Sequence, residues 1–317
     1  MKSRKVCILG GTGFVGRHLI YRLTSQGVCC RIPSRHPQRH RTLGLYNATE
    51  LVQCDPFQDD QLNAAVTGCD TVINLTGILN EAHSGTDFQR VHVELTERVV
   101  KACGNAGIER LLHMSALNAD ETEGPSDYLK TKGRAENLAH TLGLPQLKVT
   151  SFQPSVIFGP GDSFFNRFAD LLKAIPGPFP LACPEARFAP VYVGDVTQAF
   201  SHALNNEGCW GKRYQLCGPQ IFTLRELVEY TATQLGLEKR IFGLSDGMSR
   251  LQARIMDWVP GKPFSSDNYR SLQIDSLCSQ NGLEKLGIMP ATIDSVVPFY
   301  LSEKSERRRY QLLRKLG

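Results

Sequence analysis

The first 49 residues contain no aspartate or glutamate, against nine lysines and arginines. An anion that meets this stretch meets no carboxylate to repel it. Other absences narrow the chain further. No apolar run approaches the ~20 residues needed to span a membrane as a helix. None of the ten cysteines forms a C-x-x-C pair, which leaves no zinc ribbon or dithiol motif. They read as small buried thiols in a reducing compartment, with no disulfide and no metal. No repeat, low-complexity tract or nucleic-acid module is present. Lys2, Arg4 and Lys5 precede an apolar run as in a secretory leader, but no cleavage pattern follows. The expectation is no signal peptide, no transmembrane segment and no nucleic-acid partner. The location is then cytoplasmic or peripheral on the inner face of a membrane. The net charge of +5 is mild and fits a small anionic ligand.

What is present begins at Val6-Cys7-Ile8-Leu9, a short apolar run suited to a buried strand. Gly10, Gly11, Thr12, Gly13 and Gly16 follow, and Phe14 to Gln26 carry a helical apolar pattern. Gly11, Gly13 and Gly16 satisfy G-x-G-x-x-G, and Gly10, Gly13 and Gly16 satisfy G-x-x-G-x-x-G. A glycine turn between strand and helix lets backbone approach a pyrophosphate, whose charge the helix N-terminus attracts. Gly10, Thr12, Gly13, Phe14, Val15 and Gly16 are therefore candidate cofactor contacts.

The next strand, Val28–Pro33, ends at Ser34-Arg35. NAD sites place a carboxylate there, ~20 residues past the glycines, for the ribose 2′-hydroxyl. This chain offers a guanidinium, which suits a 2′-phosphate. The expectation is NADP(H) over NAD(H), held by Ser34 and Arg35 with Arg39 as helper. A solvated basic loop is the other reading of these arginines.

Further strands are read at Leu51–Cys54, Thr71–Leu75, Arg110–Met114 and Leu147–Phe152, with helices between. That alternation predicts an α/β fold, a Rossmann-type doubly wound parallel sheet. Asp55 ends the third strand, either as an acceptor for an adenine amino group or as a helix cap before Phe57–Val66. Leu75, Thr76 and Gly77 lie where ligands of open α/β sheets bind. Pro154 and Val156, past the sixth strand, are further candidates to face the cofactor. A single helix is read over residues 87–106.

Tyr128 and Lys132 are four apart on the helix predicted over residues 126–142, so they share a face. A lysine ammonium beside a phenol stabilises its phenolate. Such a pair exchanges a proton with a substrate oxygen while hydride moves to or from a nicotinamide. The Y-x-x-x-K spacing is common on helices and gains weight from following a fifth strand.

With GGTGFVG, NLTG, MSALNAD, YLKTK, QPSVIFGPGD and PVYVGDVTQAF on the page, the chain resembles the extended short-chain dehydrogenase/reductase family, the epimerase/dehydratase-like form. The likeness covers roughly residues 5 to 235. More narrowly it resembles the atypical branch that contains the NADPH-binding accessory subunit of respiratory complex I. The resemblance implies Tyr128 as acid/base, Lys132 as its partner and nicotinamide-ribose contact, and Ser115 orienting the substrate oxygen. Two departures stand. His92 occupies the place of an asparagine that organises a proton relay in the family, and either Ser115 or Ala116 falls at the family's Ser/Thr. His92 is then either a relay or an ordinary helix histidine.

The expected organisation is a dinucleotide-binding core over 1–155 and a smaller C-terminal substrate lobe over 156–317, some of whose segments return to the core. Arg187 is either a substrate-anion contact or a loop arginine, and Asp195 reads as a helix cap. Met248, Ile255, Met256 and Trp258 read as core packing, with a lid or partner surface as the alternative. The basic tail 303–317 is a solvated helix end or an electrostatic hold on lipid or an acidic partner. Three functions follow. One is an NADP(H)-dependent oxidoreductase or epimerase-like enzyme with an unknown small-molecule substrate. The second is a non-catalytic subunit or assembly partner of respiratory complex I. The third is an NADPH-sensing regulator.

Overall fold

A computed structural model describes residues 5–81, 87–259 and 264–301. The chain forms two compact units. The first comprises Met1–Pro154, Val196–Leu216 and Asn281–Ile288, and the second comprises Ser155–Asp195, Cys217–Gln280 and Met289–Gly317.

The first unit is built on a seven-stranded sheet. Its strands are β1 (Lys5–Leu9), β2 (Cys29–Ser34), β3 (Thr49–Gln53), β4 (Thr71–Asn74), β5 (Arg110–Met114), β6 (Lys148–Pro154) and a last strand, Arg213–Leu216. The order is Arg213–Leu216, β6, β5, β4, β1, β2, β3, and every pairing is parallel. The chain runs outward from β1 to β3, then returns to β4 on the other side. The carboxyl ends of β1 and β4 flank that reversal, the place where such sheets bind ligands. The predicted doubly wound sheet is therefore the observed one.

Its strands are apolar on both faces because helices cover both. Helices α1 (Phe14–Ser25), α2 (Asp59–Val66), α3 (Leu95–Asn105) and α4 (Asp127–Leu142) follow β1, β3, β4 and β5. One core cluster joins Cys7 and Leu9 to Leu62, Val66, Val99, Cys103 and Leu111. Ser126 caps α4 by accepting the Leu129 amide at 3.2 Å. The single helix read over 87–106 is instead two. A π-helical turn spans Gln89–Glu94 and runs directly into α3. Val91, His92 and Val93 are all buried, a run of three that a regular α-helix cannot aim to one side; the wider π turn accommodates it.

The second unit has three two-stranded sheets: Ile157–Phe158 with Val191–Tyr192, Arg187–Phe188 with Phe222–Thr223, and Phe179–Leu181 with Ile241–Gly243. Helices Phe165–Ala174 and Leu224–Gln234 close a core of Phe158, Phe165, Leu172, Phe188, Leu227 and Val228. Two expectations are corrected by this unit. Cys217 is not a free thiol: it forms a disulfide with Cys278, 61 residues on. The helix Asp246–Met256 buries Ser249 and Ala253, while Met248, Leu251, Ile255 and Trp258 are exposed. They are not core. The last helix among the described residues is Pro298–Leu301. The tail 303–317 lies outside the described residues.

Candidate functional site

The site residues of the first unit converge at the carboxyl ends of β1, β2, β4 and β5. The glycine turn is fixed by backbone bonds, Gly11 N–H to Ile8 O at 3.2 Å and Gly13 N–H to Gly10 O at 3.0 Å. Gly10 has φ +76°, in the left-handed region that favours glycine. A Cβ on Gly16 would stand 2.5 Å from Gly10 O and 2.5 Å from Gly11 Cα. Only glycine lets α1 lie this close to the turn. Gly13 precedes α1 with no side-chain cap, and the first turn holds no acidic residue. The free N–H groups and positive end of α1 are thus presented to an anion. Thr12, Phe14 and Val15 are half-buried around it.

At the end of β2, Ser34 Oγ accepts the His36 amide at 3.2 Å. Arg35 is exposed; its carbonyl accepts from Gln53 Nε2 at 2.8 Å, leaving the guanidinium outward. His40 Nδ1 is buried without a hydrogen-bond partner. Desolvation, then the nearby Arg17 and Arg39, hold this imidazole below its usual range. Asp55 caps its own turn: Oδ1 accepts the Phe57 amide at 3.2 Å. The helix that follows begins at Asp59 rather than Phe57, so Asp55 is a turn residue and not an N-cap.

The turn after β4 is held by Asn74, whose Oδ1 accepts the Thr76 amide at 3.1 Å. Leu75 N–H bonds Leu9 O at 3.0 Å, which ties this turn to β1. Gly77 is exposed, and a Cβ there would lie 3.4 Å from Lys132 Nζ and 3.7 Å from His92 Nε2.

Lys132 is buried, and its Nζ donates to Met114 O at 2.7 Å. Burial lowers its pKa to about 8, against which Glu136 works. Glu136 is buried one turn further on, bonded to Gln153 Nε2 at 3.0 Å and to Arg213 at 3.1 Å. Tyr128 is half-buried one turn before Lys132, its ring edge-on to His92 at 5.5 Å and to Phe88 at 5.8 Å. Ser115 follows β5; its amide bonds Phe152 O at 2.8 Å, and its Oγ is buried with no partner. A buried hydroxyl without a partner costs stability unless something else supplies one. His92 is neutral: desolvation, then Lys132, push its pKa down to about 2.

The NAD dependent epimerase/dehydratase family matches residues 6–217. The chain belongs to this family. It is 28% identical, over 90% of its length and 77% of the relative's, to "NADH dehydrogenase [ubiquinone] 1 alpha subcomplex subunit 9, mitochondrial" of Rattus norvegicus. Among solved structures it is similar to MoeE5 in complex with UDP-glucose and NAD, with TM-score 0.72 and 19% identity, covering 97% of this chain and 99% of that one. It is also similar to the NADPH-dependent quinone oxidoreductase QOR2 of Escherichia coli complexed with NADPH, with TM-score 0.72 and 18% identity, covering 92% and 97%. Both structural likenesses are of the fold, the parallel sheet described above.

Pro154 lies on β6 in the first unit, where its carbonyl accepts the Leu117 amide at 3.0 Å. Val156 lies in the second unit, its carbonyl accepting Val191 N–H at 2.9 Å. Arg187 does not stand open for a substrate: its guanidinium is engaged by Asp275 at 2.6 and 2.9 Å. Asp195 is not a helix cap; it sits inside the first turn of Val193–Asn205 and accepts the Ala291 amide at 2.8 Å. Sequence reasoning missed Asn74, Thr131, Gly133 and Glu136. Gly133 carried a signal, a glycine inside a strongly helical stretch. A Cβ there would be 2.5 Å from the Asp120 carbonyl carbon, so glycine lets the loop after β5 pack on α4. Among the described residues no helix is long and apolar enough to cross a membrane.

Proposed function

We propose that this protein binds NADP(H) on its glycine turn and uses Tyr128 and Lys132 as an acid/base pair at a substrate carbonyl or hydroxyl. The observation that carries this is the setting of Lys132. It is a buried cation with no carboxylate bonded to it, fixed to the end of β5 beside Gly77, one helical turn from Tyr128. A fold retains so costly a group where chemistry needs it. The orphaned Ser115 Oγ is the matching donor for a substrate oxygen. When bound, the dinucleotide supplies or accepts hydride. Tyr128 gives or takes the proton at the substrate oxygen, and Lys132 favours its phenolate and holds the nicotinamide ribose. Gly10, Thr12, Gly13, Phe14, Val15 and Gly16 cradle the pyrophosphate, and Leu75, Thr76 and Gly77 with Pro154 line the nicotinamide side. Asp55, through its second carboxylate oxygen, faces the adenine.

NADP(H) rather than NAD(H) is favoured by the outward Arg35, by Ser34 beside it, and by the absence of any carboxylate before Glu50. In this reading residues 1–155 carry the cofactor and residues 156–317 supply most substrate contacts. The test is a pair of variants. Tyr128→Phe should lose turnover of a reducible carbonyl while keeping NADPH affinity. Arg35→Asp should reverse the NADPH/NADH preference; an unchanged ratio refutes the assignment.

A second reading is supported by the rat relative, named as a subunit of NADH dehydrogenase. In it the chain is an accessory or assembly subunit of respiratory complex I, peripheral on the membrane, with NADPH as a structural ligand. Native fractionation separates the two. Co-migration with complex I favours the subunit; a free protein with carbonyl reductase activity favours the enzyme.

A further inference from the structure

We infer that His92 is a positioning residue, a neutral double-ended clamp that fastens the turn after β4 to helix α4 and does not relay protons. The inference rests on the reading of Tyr128–Lys132 and the β4 turn as the two sides of the nicotinamide site.

His92 holds the turn by two routes. Its Nε2 accepts the Ile78 amide at 3.2 Å. Its carbonyl accepts the Thr96 hydroxyl at 2.6 Å, Thr96 Oγ1 accepts from Asn74 Nδ2 at 3.3 Å, and Asn74 Oδ1 accepts the Thr76 amide at 3.1 Å. Thr76 and Ile78, on either side of the exposed Gly77, are therefore both anchored to one residue. The other end of the ring reaches α4. Nδ1 lies 2.9 Å from Thr131 Oγ1, and that hydroxyl donates to Asp127 O at 2.7 Å. Thr131 precedes Lys132 and follows Tyr128 by three positions, so the clamp grips α4 between the two members of the pair.

These partners assign the protons. Nε2 takes a backbone N–H, so Nδ1 carries the ring hydrogen and gives it to Thr131, whose own hydrogen is shared by the α4 carbonyls of Asp127 at 2.7 Å and Tyr128 at 3.1 Å. Both ring nitrogens are spent. The ring is stacked on Phe88 at 5.4 Å and meets the Tyr128 ring edge-on at 5.5 Å, and it is buried. Lys132 and Tyr128 from α4 and His113 from β5 are the titratable groups around it, and the Lys132 ammonium disfavours a second positive charge. A relay residue must exchange its proton with water or with a neighbour, and this imidazole has neither a free lone pair nor a free hydrogen. The π turn at Gln89–Glu94 is what sets its carbonyl and its ring toward the same turn.

The test uses the full chain. Nitrogen-15 spectra of the histidines at pH 7 should show His92 neutral with hydrogen on Nδ1. Asn at 92 can reach only the Thr131 end and Gln only the Ile78 end, whereas Thr131→Val removes the α4 end without altering the ring. Each of His92→Asn, His92→Gln and Thr131→Val should weaken NADPH binding about tenfold, the worth of roughly one net hydrogen bond. Thr131→Val should speed Ile78 amide exchange by a similar factor with little change in melting temperature. A charged ring, hydrogen on Nε2, or Ile78 exchange unchanged in Thr131→Val overturns the clamp, whether or not the protein binds NADPH. Wild-type affinity in all three variants overturns the positioning role. Failure of the wild type to bind NADPH overturns the dinucleotide reading instead, and the exchange measurement still decides the clamp.

Discussion

All eight histidines of the chain fall in the first unit and none in the second. Cysteine divides differently: the described cysteines of the first unit are free thiols, whereas the second unit carries the disulfide Cys217–Cys278 beside one free thiol, Cys183. The first unit buries titratable groups, His92, His113, Lys132 and Glu136, around the end of β5. The second buries two carboxylates, Asp162 and Asp195, beside an aromatic and aliphatic core, and it carries the disulfide. The difference shows where the buried imidazoles and the buried ammonium gather, at the end of β5, where His113 keeps both ring nitrogens without a hydrogen-bond partner, a costly state for a buried polar group.

The largest way to expose this difference is acid. Desolvation is the first cause that holds His92 at about 2, His140 at about 4, and His113 well below the usual imidazole range. Lys132 is the second cause for His92 and His113, Arg213 for His140. In the unfolded chain each titrates near ~6.5. Their stabilising contribution is complete above that value. It is lost as pH falls, because the unfolded state takes up protons that the folded state refuses. His92 should remove about 2–3 kcal/mol by pH 4.5, with His113 and half-buried His140 adding to it in the same direction. Amide exchange followed residue by residue from pH 7 to 4.5 should show the first unit opening while the second, without a histidine, holds. Parallel loss in both units would break the comparison.

The next largest is reduction. A cross-link closing a loop of 61 residues is worth about 4 kcal/mol by the loop-entropy argument. Cys278→Ser should lower the stability of the second unit by that order, measured by denaturant unfolding, and leave NADPH affinity in place. An unchanged midpoint would show that the bond is not formed in solution.

The same contrast explains what the sequence could disclose. The glycine turn, the Tyr128–Lys132 spacing and the strand–helix alternation were readable because each is a local pattern with a fixed period. Cys217–Cys278, Asn74–Thr96 and His92–Thr131 were not. Their partners are 61, 22 and 39 residues apart, and nothing short-range marks them. The π turn escaped for a related reason: Val91-His92-Val93 reads as a helix face with one residue too many, and only the burial of all three reveals the extra backbone width. Arg187 stayed open between two readings because an arginine reads alike whether it faces substrate or, as here, Asp275. Met248, Ile255 and Trp258 misled because helical apolar spacing does not say which face meets protein.

A smaller effect is expected at the glycine turn. Gly16→Ala puts a methyl group 2.5 Å from backbone atoms of Gly10 and Gly11, atoms that cannot swing aside as a side chain would. The overpacking should cost about 1–3 kcal/mol and weaken NADPH binding more than tenfold. Gly104 meets nothing within 4 Å, so Gly104→Ala on α3 is the control that should do neither.

The smallest effect has the opposite sign. Lys132 is buried, with its pKa lowered to about 8 first by desolvation and only partly restored by Glu136. Below that pH it is charged in both folded and unfolded chains, so the full cost of burying the ammonium falls on the folded state. Between about 8 and the unfolded value near ~10.4 the folded state sheds its proton first, and stability rises with pH. Lys132→Met removes that cost at pH 7 and gives up the bond to Met114 O, itself worth ~1 kcal/mol. The balance should stabilise the first unit by about 1–2 kcal/mol, and the variant should lose the rise in stability above pH 8. It should also lose NADPH-dependent turnover. A variant that is less stable than wild type would mean that Lys132 is held for packing, and the case for keeping a buried cation for chemistry would go with it.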